Sequence, residues 1–384
     1  MARVLYTITE YPPLVGGIAT LAEILLEELV ESDDEFHFWA PPDTLAPSSV
    51  LLHPTYRRPS GRVPRFLIEC LNGWELRRLL RTYQFDRVLF MDASARAYAF
   101  PFVPRVPTFL YAHGLEVRSE GRFRDWTTGK LMLQKRALKK ADRVGTNSDS
   151  TRDQIRQLTP QVSVSTVYPA YDARRVYDPK KHQESPYREG PFHFLTVARL
   201  VERKDHDRIL QILAQLDALG ESDWNYHIVG DGPLKERLEE RARHLGLQDR
   251  VFFWGKVPNE DLGAFYRFAD LFIMLPKWVA RGIEGFGLVF IEAARSGTAS
   301  VGSRHGGVTE AIQDGETGVI LPADIDQAAR RVISLMKDRT TVERLAKAGE
   351  KRAVEFFSPQ AFAARVRDQL ELLPASPEER EKVQ

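Results

Sequence analysis

The sequence predicts an α/β protein with two similar halves, each built on a parallel sheet. Short β-rich runs alternate with helical patterns along most of the chain, and the alternation pauses once, between residues 171 and 191. Parallel strands joined by helical crossovers produce this rhythm. The length of 384 residues agrees with it, because at about 150 residues per domain the chain holds two or three domains.

The first half begins with a strand expected over residues 4–8. Ile18, Leu21, Leu25 and Leu29 then form one apolar stripe and predict a helix. Further strands are expected at 36–39, 87–91, 108–112, 143–146 and 164–168. Residues 171–190 are rich in charge and proline, which is typical of a linker. The first domain is therefore expected to comprise residues 1–170.

The second half repeats the pattern, with strands expected at 192–197, 226–229, 251–254, 271–275, 299–301 and 318–321. A last helix is predicted over 358–373, because Ser358-Pro359 favours a helix start. We therefore expect a second domain over 191–357 and a closing segment over 358–384. Open α/β sheets bind ligands beyond the carboxyl ends of their strands, so functional residues are expected in the loops that follow strands.

Composition excludes several classes of protein. Lys and Arg number 54 against 53 Asp and Glu, so the basic excess of a nucleic-acid binder is missing. The single cysteine cannot form an internal disulfide, and no Cys/His cluster predicts a zinc site. No apolar run approaches the ~18 residues that span a bilayer. We expect no signal peptide, because the first strand starts almost at once and leaves no room for one. These features favour a cytoplasmic enzyme.

The strongest functional signal is the glycine-rich stretch around Glu284. Gly285 and Gly287 allow a ligand to approach the backbone, and a helix is expected to begin near Phe286. A helix start exposes unpaired amide groups that attract phosphate. Glu292, about one turn further, suits the diol of a ribose. The alternative is that both glutamates are solvated charges at a helix cap.

A second signal follows the strand expected at 192–197. Arg199 and Lys204 leave the carboxyl end of the sheet and could neutralise a diphosphate, although an ordinary charged loop is the alternative. Asp205-His206-Asp207 has the spacing of an Asp-x-Asp metal motif, but its position indicates a helix start. The sequence thus predicts no metal site.

Two weaker signals lie in the first half. Gly16 and Gly17 precede the first helix and form a turn that is compatible with phosphate. His113 ends a predicted strand and is followed by Gly114, where contact with a substrate and a structural role are about equally expected.

Together these motifs resemble the large retaining family of GT-B glycosyltransferases called family 4. The resemblance covers essentially the whole chain. It is carried by the glutamates at 284 and 292, the pair Arg199 and Lys204, and the Gly-Gly-x-x-Glu helix start at 306–310. It implies a GT-B fold, in which two Rossmann-like α/β/α domains face each other across a cleft and a C-terminal helix crosses back to the N-terminal domain.

The resemblance also implies roles for individual residues. Arg199 and Lys204 resemble the diphosphate clamp. Glu292 resembles the ribose ligand, and Glu284 the residue that holds a hydroxyl of the donor sugar. The remaining positions resemble further donor contacts: the amides of Phe286, Gly287 and Leu288, the N-terminal loop at Gly16 and Gly17, the base-bordering loop that contains Val257, and the active-site histidine, His113.

The activity implied is retaining, metal-independent transfer of a sugar from a UDP- or GDP-sugar, without a cofactor, to a hydroxyl of a sugar, a lipid-linked acceptor or a small molecule. A nucleotide-sugar epimerase or a phosphorylase on the same fold is the alternative. A nicotinamide dehydrogenase is disfavoured, because Phe290 stands where its fingerprint needs a third glycine or alanine.

The first half is locally basic and is expected to bind the acceptor. Nine Lys or Arg lie between Arg118 and Arg143 against three acidic residues, and a second cluster consists of Arg57, Arg58, Arg62 and Arg65. Two interpretations stay open: a peripheral contact with anionic lipid at the inner face of the membrane, or a solvated helix surface. Two departures from the family are Arg295-Ser296 and a long loop at 276–282.

Overall fold

A computed structural model describes residues 2–9, 11, 16–31, 34–41, 44, 47–54, 65–93, 106–114, 135–279 and 284–371, with residues 65–70 described by their backbone only. The chain divides into two compact units. Unit 1 consists of Met1–Pro169 and Pro359–Gln384, and unit 2 of Ala170–Ser358.

The strands are β1 Arg3–Thr7, β2 Glu35–Ala40, β3 Leu51–Pro54, β4 Arg87–Phe90, β5 Thr108–Ala112, β6 Arg143–Thr146, β7 Ser163–Thr166, β8 Phe192–Val197, β9 Trp224–Val229, β10 Val251–Gly255, β11 Leu271–Ile273, β12 Ser300–Ser303 and β13 Gly318–Leu321. The helices are α1 Gly17–Leu29, α2 Arg65–Thr82, α3 Asp149–Leu158, α4 His206–Ala218, α5 Lys235–His244, α6 Leu262–Phe268, α7 Leu288–Arg295, α8 Val308–Ala311, α9 Ile325–Lys337, α10 Arg339–Phe356 and α11 Pro359–Glu371. Among the described residues, none of these helices combines the length and apolar character needed to cross a membrane.

Unit 1 is built on a seven-stranded parallel sheet with the strand order β3-β2-β1-β4-β5-β6-β7. Helix α1 buries Leu21, Leu25 and Leu29, as the apolar stripe predicts. Helix α11 packs in the same unit, where Arg367 donates to the carbonyl of Glu28 at 2.5 Å. Strand β3 was not predicted, because this edge strand is partly exposed and shows no alternation of apolar and polar residues.

Unit 2 is built on a six-stranded parallel sheet with the order β10-β9-β8-β11-β12-β13. The two parallel sheets and their helices confirm the predicted α/β class. Residues 171–191, expected as a linker, lie within unit 2. Tyr187 anchors them there: its ring lies 4.8 Å from that of His193, and its hydroxyl donates to the carbonyl of Phe265 at 2.7 Å. The sequence predicts a linker here because the segment is polar overall, and this composition gives no indication that Tyr187 is buried.

Candidate active site

The strand order places the predicted site of unit 2 at a topological switch point. The order reverses between the neighbouring strands β8 and β11, because the chain proceeds from β8 to β9 on one side and from β11 to β12 on the other. Loops that leave the carboxyl ends of two such strands diverge and form a crevice. Arg199 and Lys204 follow β8, and Glu284 follows β11, so both predicted motifs lie at this crevice.

Lys204 and Glu284 form a buried ion pair. The Nζ atom of Lys204 donates to Oε2 of Glu284 at 2.8 Å, and each residue is only 8% exposed. Arg203 adds a second cation, with its Nη1 atom 3.8 Å from the same oxygen. The structure therefore brings together two residues that the sequence predicts in separate motifs, and adds a third that the sequence argument did not use.

The electrostatic surroundings keep Glu284 ionised. Burial alone would raise the pKa of its carboxyl group, but the charges of Lys204, Arg203 and Arg199 outweigh burial and hold the pKa below its ordinary value. A carboxylate in this state can only accept hydrogen bonds. It is therefore suited to accept from a hydroxyl group of a bound sugar.

The backbone of Glu284 is fixed by the glycines of the loop before α8. The carbonyl of Glu284 accepts from the amide of Gly307 at 3.2 Å. Gly306 has φ +57°, and a Cβ atom there would lie 2.1 Å from the same carbonyl oxygen. The Gly-Gly-x-x-Glu motif thus supports Glu284 through close backbone packing, which only glycine permits.

Arg199 differs from Lys204 in that its side chain is exposed. Its loop is held by the turn after β9. The amide of Leu200 donates to the carbonyl of Asp231 at 3.0 Å, and a Cβ atom on Gly232 would lie 2.5 Å from the carbonyl oxygen of Leu200. This turn was not predicted, although a Gly-Asp-Gly run directly after a strand is a recognisable signal.

Helix α7 begins at the glycines next to Glu284. Gly287 occupies the N-cap position with φ 88° and has no side chain with which to cap the first turn, which starts at Leu288. The ring of Phe286 is buried and lies 5.4 Å from that of Phe357, so this residue can offer a ligand only its backbone. The helix start is thus suited to an anion.

Glu292 lies deep inside unit 2. It is 0% exposed, and its two carboxylate oxygens accept from Nη1 of Arg175 and from the hydroxyl of Tyr266, each at 2.8 Å. Burial raises the pKa of this carboxyl group, against the opposing effects of Arg175 and Tyr266. The carboxylate is thus enclosed by protein groups. Its role as a ribose ligand stays a prediction, and a ribose would reach it only after a local rearrangement.

The Asp205-His206-Asp207 run begins α4, as the sequence argument expected. Asp205 stands at the N-cap and binds Lys277 at 2.9 Å, while Asp207 pairs with Arg241 at 2.9 Å. Burial lowers the pKa of His206 to about 4. Across the described ranges, His, Cys, Asp and Glu side chains form no group of three or more that could hold a metal ion.

The loop after β10 contains Val257, which is half-buried. Gly255, the last residue of β10, has φ 67°, and its carbonyl accepts from the amide of Gly230 at 2.7 Å. This bond ties the loop that contains Val257 to the turn that also holds the loop of Arg199. The three loops after β8, β9 and β10 are therefore connected.

Unit 1 contains its own set of predicted residues at the carboxyl edge of the sheet. Gly16 caps α1 directly before Gly17, and the space where its Cβ atom would stand is open. His113 is 9% exposed, and its Nε2 atom lies 2.7 Å from the carbonyl of Met91. Because a carbonyl only accepts, Nε2 carries the proton of a neutral His113.

Two buried residues at the same edge were not predicted. Asn147, after β6, donates to the carbonyl of His113 at 3.3 Å. Asp92, after β4, accepts from the amide and the hydroxyl of Thr9 at 2.8 and 3.0 Å. Polar residues directly after predicted strands were the signal that could have found them.

Some predicted features lie outside the described residues: the cluster Arg57, Arg58 and Arg62, most of the basic stretch that begins at Arg118, and part of the loop 276–282. The side chain of Arg65 is also outside the description.

Comparison with known proteins accounts for both halves. Residues 15–175 match the family Glycosyltransferase Family 4, and residues 178–352 match Glycosyl transferases group 1. The GDP-mannose-dependent alpha-(1-6)-phosphatidylinositol monomannoside mannosyltransferase of Mycolicibacterium smegmatis is 28% identical over 383 residues, 94% of this chain and 96% of that protein. The protein of the same name from Mycobacterium tuberculosis is 26% identical over 394 residues, 96% of this chain and 98% of that protein.

The fold has solved counterparts. The sucrose-phosphate synthase of Thermosynechococcus elongatus has a TM-score of 0.81 at 20% identity, covering 97% of this chain and 98% of that one. The predicted GT-B fold is therefore confirmed. With both family matches and relatives over nearly the full length, the chain belongs to the family 4 glycosyltransferases of GT-B fold, enzymes that transfer sugars from nucleotide-sugar donors.

Proposed function

We propose that the protein is a retaining, metal-independent mannosyltransferase that uses GDP-mannose and a lipid-linked acceptor. The observation that carries its donor site is the Lys204–Glu284 pair, in which two charged side chains are almost withdrawn from water beside the uncapped start of α7. A buried ion pair is costly to maintain and is a candidate for a functional role. Its place at the switch point of the sheet is where this fold class binds nucleotides.

The donor site uses three kinds of positive potential. Arg199, exposed at the crevice, binds one phosphate group of the diphosphate. Lys204 binds the other phosphate group while it keeps its hydrogen bond to Glu284. The amides at the start of α7 complete the diphosphate site, with Gly287 and Leu288 next to the phosphate. Glu284 accepts from a hydroxyl of the sugar.

Rate acceleration comes from stabilising the leaving diphosphate. Negative charge grows on the phosphate oxygen as its bond to the anomeric carbon breaks, and fixed cations stabilise that charge more than they stabilise the bound donor. These protein cations can do so without a metal ion. Removal of metals with EDTA should therefore leave transfer unchanged; abolition by EDTA with recovery on adding Mn²⁺ would refute metal independence.

Retention requires that the new bond forms on the face from which the diphosphate leaves. The acceptor oxygen bonds to the anomeric carbon while the bond from that carbon to the phosphate oxygen breaks, and the acceptor proton passes to the departing oxygen. A double displacement needs a carboxylate nucleophile beneath the anomeric carbon, and neither Glu284, which is paired with Lys204 and holds a sugar hydroxyl, nor Glu292 is expected to reach that carbon. NMR of the product tests this: the donor is an α-mannoside, so an α-linked product supports retention and a β-linked product refutes it.

The donor assignment follows from the two mycobacterial relatives, both of which are named GDP-mannose-dependent mannosyltransferases. A ligand that binds only the folded state raises the melting temperature by mass action. Thermal shifts with GDP, UDP, ADP and their sugars should be largest for GDP and GDP-mannose. A larger shift with UDP-sugars would overturn the choice of guanine.

The lipid-linked acceptor is supported by the exposed face of α2 in unit 1. Leu71 is 43% and Trp74 54% exposed, and the guanidinium carbon of Arg78 lies 5.9 Å from the ring centre of Trp74. Apolar and basic side chains on one helix face are typical of helices that lie on anionic membranes. Residues 71, 74, 78 and 81 share this face, at three- and four-residue spacing.

Co-sedimentation with vesicles tests the membrane contact. We expect the protein to sediment with phosphatidylglycerol-containing vesicles and remain unbound with phosphatidylcholine alone. Trp74→Ser should weaken this binding, whereas Trp278→Ser, which changes a 55% exposed tryptophan of unit 2, should not. Equal sedimentation of both variants and the wild type would exclude α2 as the contact.

A further inference from the structure

We propose that Arg175 is a positioning residue of the donor site, which holds Glu292 ionised and oriented for the ribose of the nucleotide. The inference rests on the proposed function, because it takes Glu292 as the ribose ligand. Arg175 lies in the segment 171–191, which the sequence predicts only as a linker.

Two contacts fasten this segment to α7. The Nη1 atom of Arg175 donates to Oε1 of Glu292 at 2.8 Å. Two residues further, the amide of Tyr177 donates to Oγ of Ser296 at 3.0 Å, and that hydroxyl donates to the carbonyl of Glu292 at 2.9 Å. Ser296 is one of the two positions noted as a departure from the family. Side chain and backbone of Glu292 are thus both connected to the same short segment.

The geometry leaves acceptor capacity on Glu292. A carboxylate has about four lone-pair positions. Arg175 occupies one on Oε1, and the hydroxyl of Tyr266 occupies one on Oε2. The remaining two match the two hydroxyls of a ribose in number, and a ribose reaches them after the local rearrangement that exposes this fully buried carboxylate. The arrangement therefore fixes the carboxylate through one position on each oxygen and leaves one on each.

The charge of Arg175 matters because Glu292 is fully buried. A buried carboxyl group without a partner tends to become protonated, and a protonated carboxyl loses acceptor capacity. Arg175 is itself largely buried, and its Nε atom has no hydrogen-bond partner within the described part of the chain. Among the described residues, the side-chain partner of its guanidinium group is Glu292, which Nη1 contacts.

The test compares GDP with 2′-deoxy-GDP by isothermal titration calorimetry on the full chain. The wild type should prefer GDP by about tenfold or more, because a hydroxyl bound to a charged group is lost in the analogue. Arg175→Ala should bind GDP about tenfold more weakly and prefer it less than about threefold over the analogue. Arg175→Lys should recover part of that preference.

Three further variants keep the test decisive. Arg188→Ala removes an exposed arginine from the same segment and should behave as the wild type. Tyr266→Phe removes only the neutral hydroxyl that donates to Glu292 and keeps the charge of Arg175, so it should retain most of the preference. If Arg175→Ala fails to fold, Arg175→Gln, which keeps a hydrogen-bond donor without the charge, should show the loss of preference in a protein of unchanged secondary structure.

The outcomes separate this inference from the proposed function. If the wild type binds neither GDP nor UDP, the proposed function fails and the inference with it. If the wild type prefers GDP and Arg175→Ala keeps the full preference, only the inference is overturned. Tighter GDP binding by Arg175→Ala would show that Arg175 blocks Glu292 instead of positioning it, and would equally overturn the inference.

Discussion

Lys204→Met removes the charge from the buried pair and leaves most of the side-chain volume. Glu284 then stays 8% exposed with its oxygen 3.8 Å from Arg203 and without the 2.8 Å bond. Removing one partner of a buried ion pair costs about 3–5 kcal/mol. Because Arg203 remains near Glu284, we expect a loss at the low end of this range, about 3 kcal/mol in the free energy of unfolding.

That loss can be measured as a shift in melting temperature. For a unit of the size of Ala170–Ser358, 1 kcal/mol corresponds to about 2–4 °C. The melting temperature should therefore decrease by about 6–12 °C, as measured by circular dichroism of the full chain. Transfer from GDP-mannose should fall by at least about a hundredfold, because a charge that faces the leaving diphosphate is gone.

The double variant Lys204→Met with Glu284→Leu separates stability from function. Replacing a whole buried ion pair by apolar residues is often neutral for stability. The melting temperature should then return to within a few degrees of the wild type, while transfer stays abolished. Wild-type transfer by the double variant would refute the functional assignment, and an unshifted melting temperature in Lys204→Met would refute the energy derived from the structure.

Three further predictions follow from the same site. Gly306→Ala places a Cβ atom 2.1 Å from the carbonyl oxygen of Glu284 and should reduce the rate of sugar transfer at least about tenfold. The control Gly315→Ala, at a glycine with φ +78° and open space around its Cβ position, should cost only about 1 kcal/mol of stability. Equal transfer rates of the two variants would contradict the packing of Gly306 against Glu284. The folded-state pKa of Glu284 lies below its ordinary 4.5, so its contribution to stability is complete above pH 4.5 and is lost as the pH falls through the lowered value. The melting temperature of Glu284→Gln, measured from neutral to acidic pH, should lack this part of the decrease. Identical pH profiles of the variant and the wild type would contradict the assignment of a lowered pKa to Glu284. Arg199→Ala should weaken GDP binding about tenfold or more in calorimetry with little change in melting temperature, because the side chain is exposed; unchanged affinity would remove Arg199 from the clamp.

The strands were the most predictable part of the fold. β5, β6, β8 and β13 lie where the sequence places them. β5 and β13 are buried along their whole length and are largely apolar in sequence, which is typical of strands covered on both faces. The edge strand β3 could not be found in this way, since one side of an edge strand faces solvent. The contacts of Tyr187 could not be predicted for a related reason: isolated buried side chains in a polar segment leave no periodic signal.

The site was predictable as a set of positions and less so as a set of contacts. Arg199, Lys204 and Glu284 were found because strand ends and glycines mark loops that carry function. The enclosure of Glu292 by Arg175 and Tyr266 was not, because those partners are 117 and 26 residues away in sequence. Local patterns contain no information about which distant charge meets a buried carboxylate.

By itself the sequence determined the alternation of strands and helices, the two halves and the chemical types at the strand ends, since these depend on periodicity and turn residues over short distances. The tertiary structure alone decided which charges pair. It joined Lys204 to Glu284 and Arg175 to Glu292 by setting β8 beside β11 and folding the segment 171–191 onto α7. The physical reason is that ion pairing depends on distance and burial, and the fold fixes both only after the whole chain has packed.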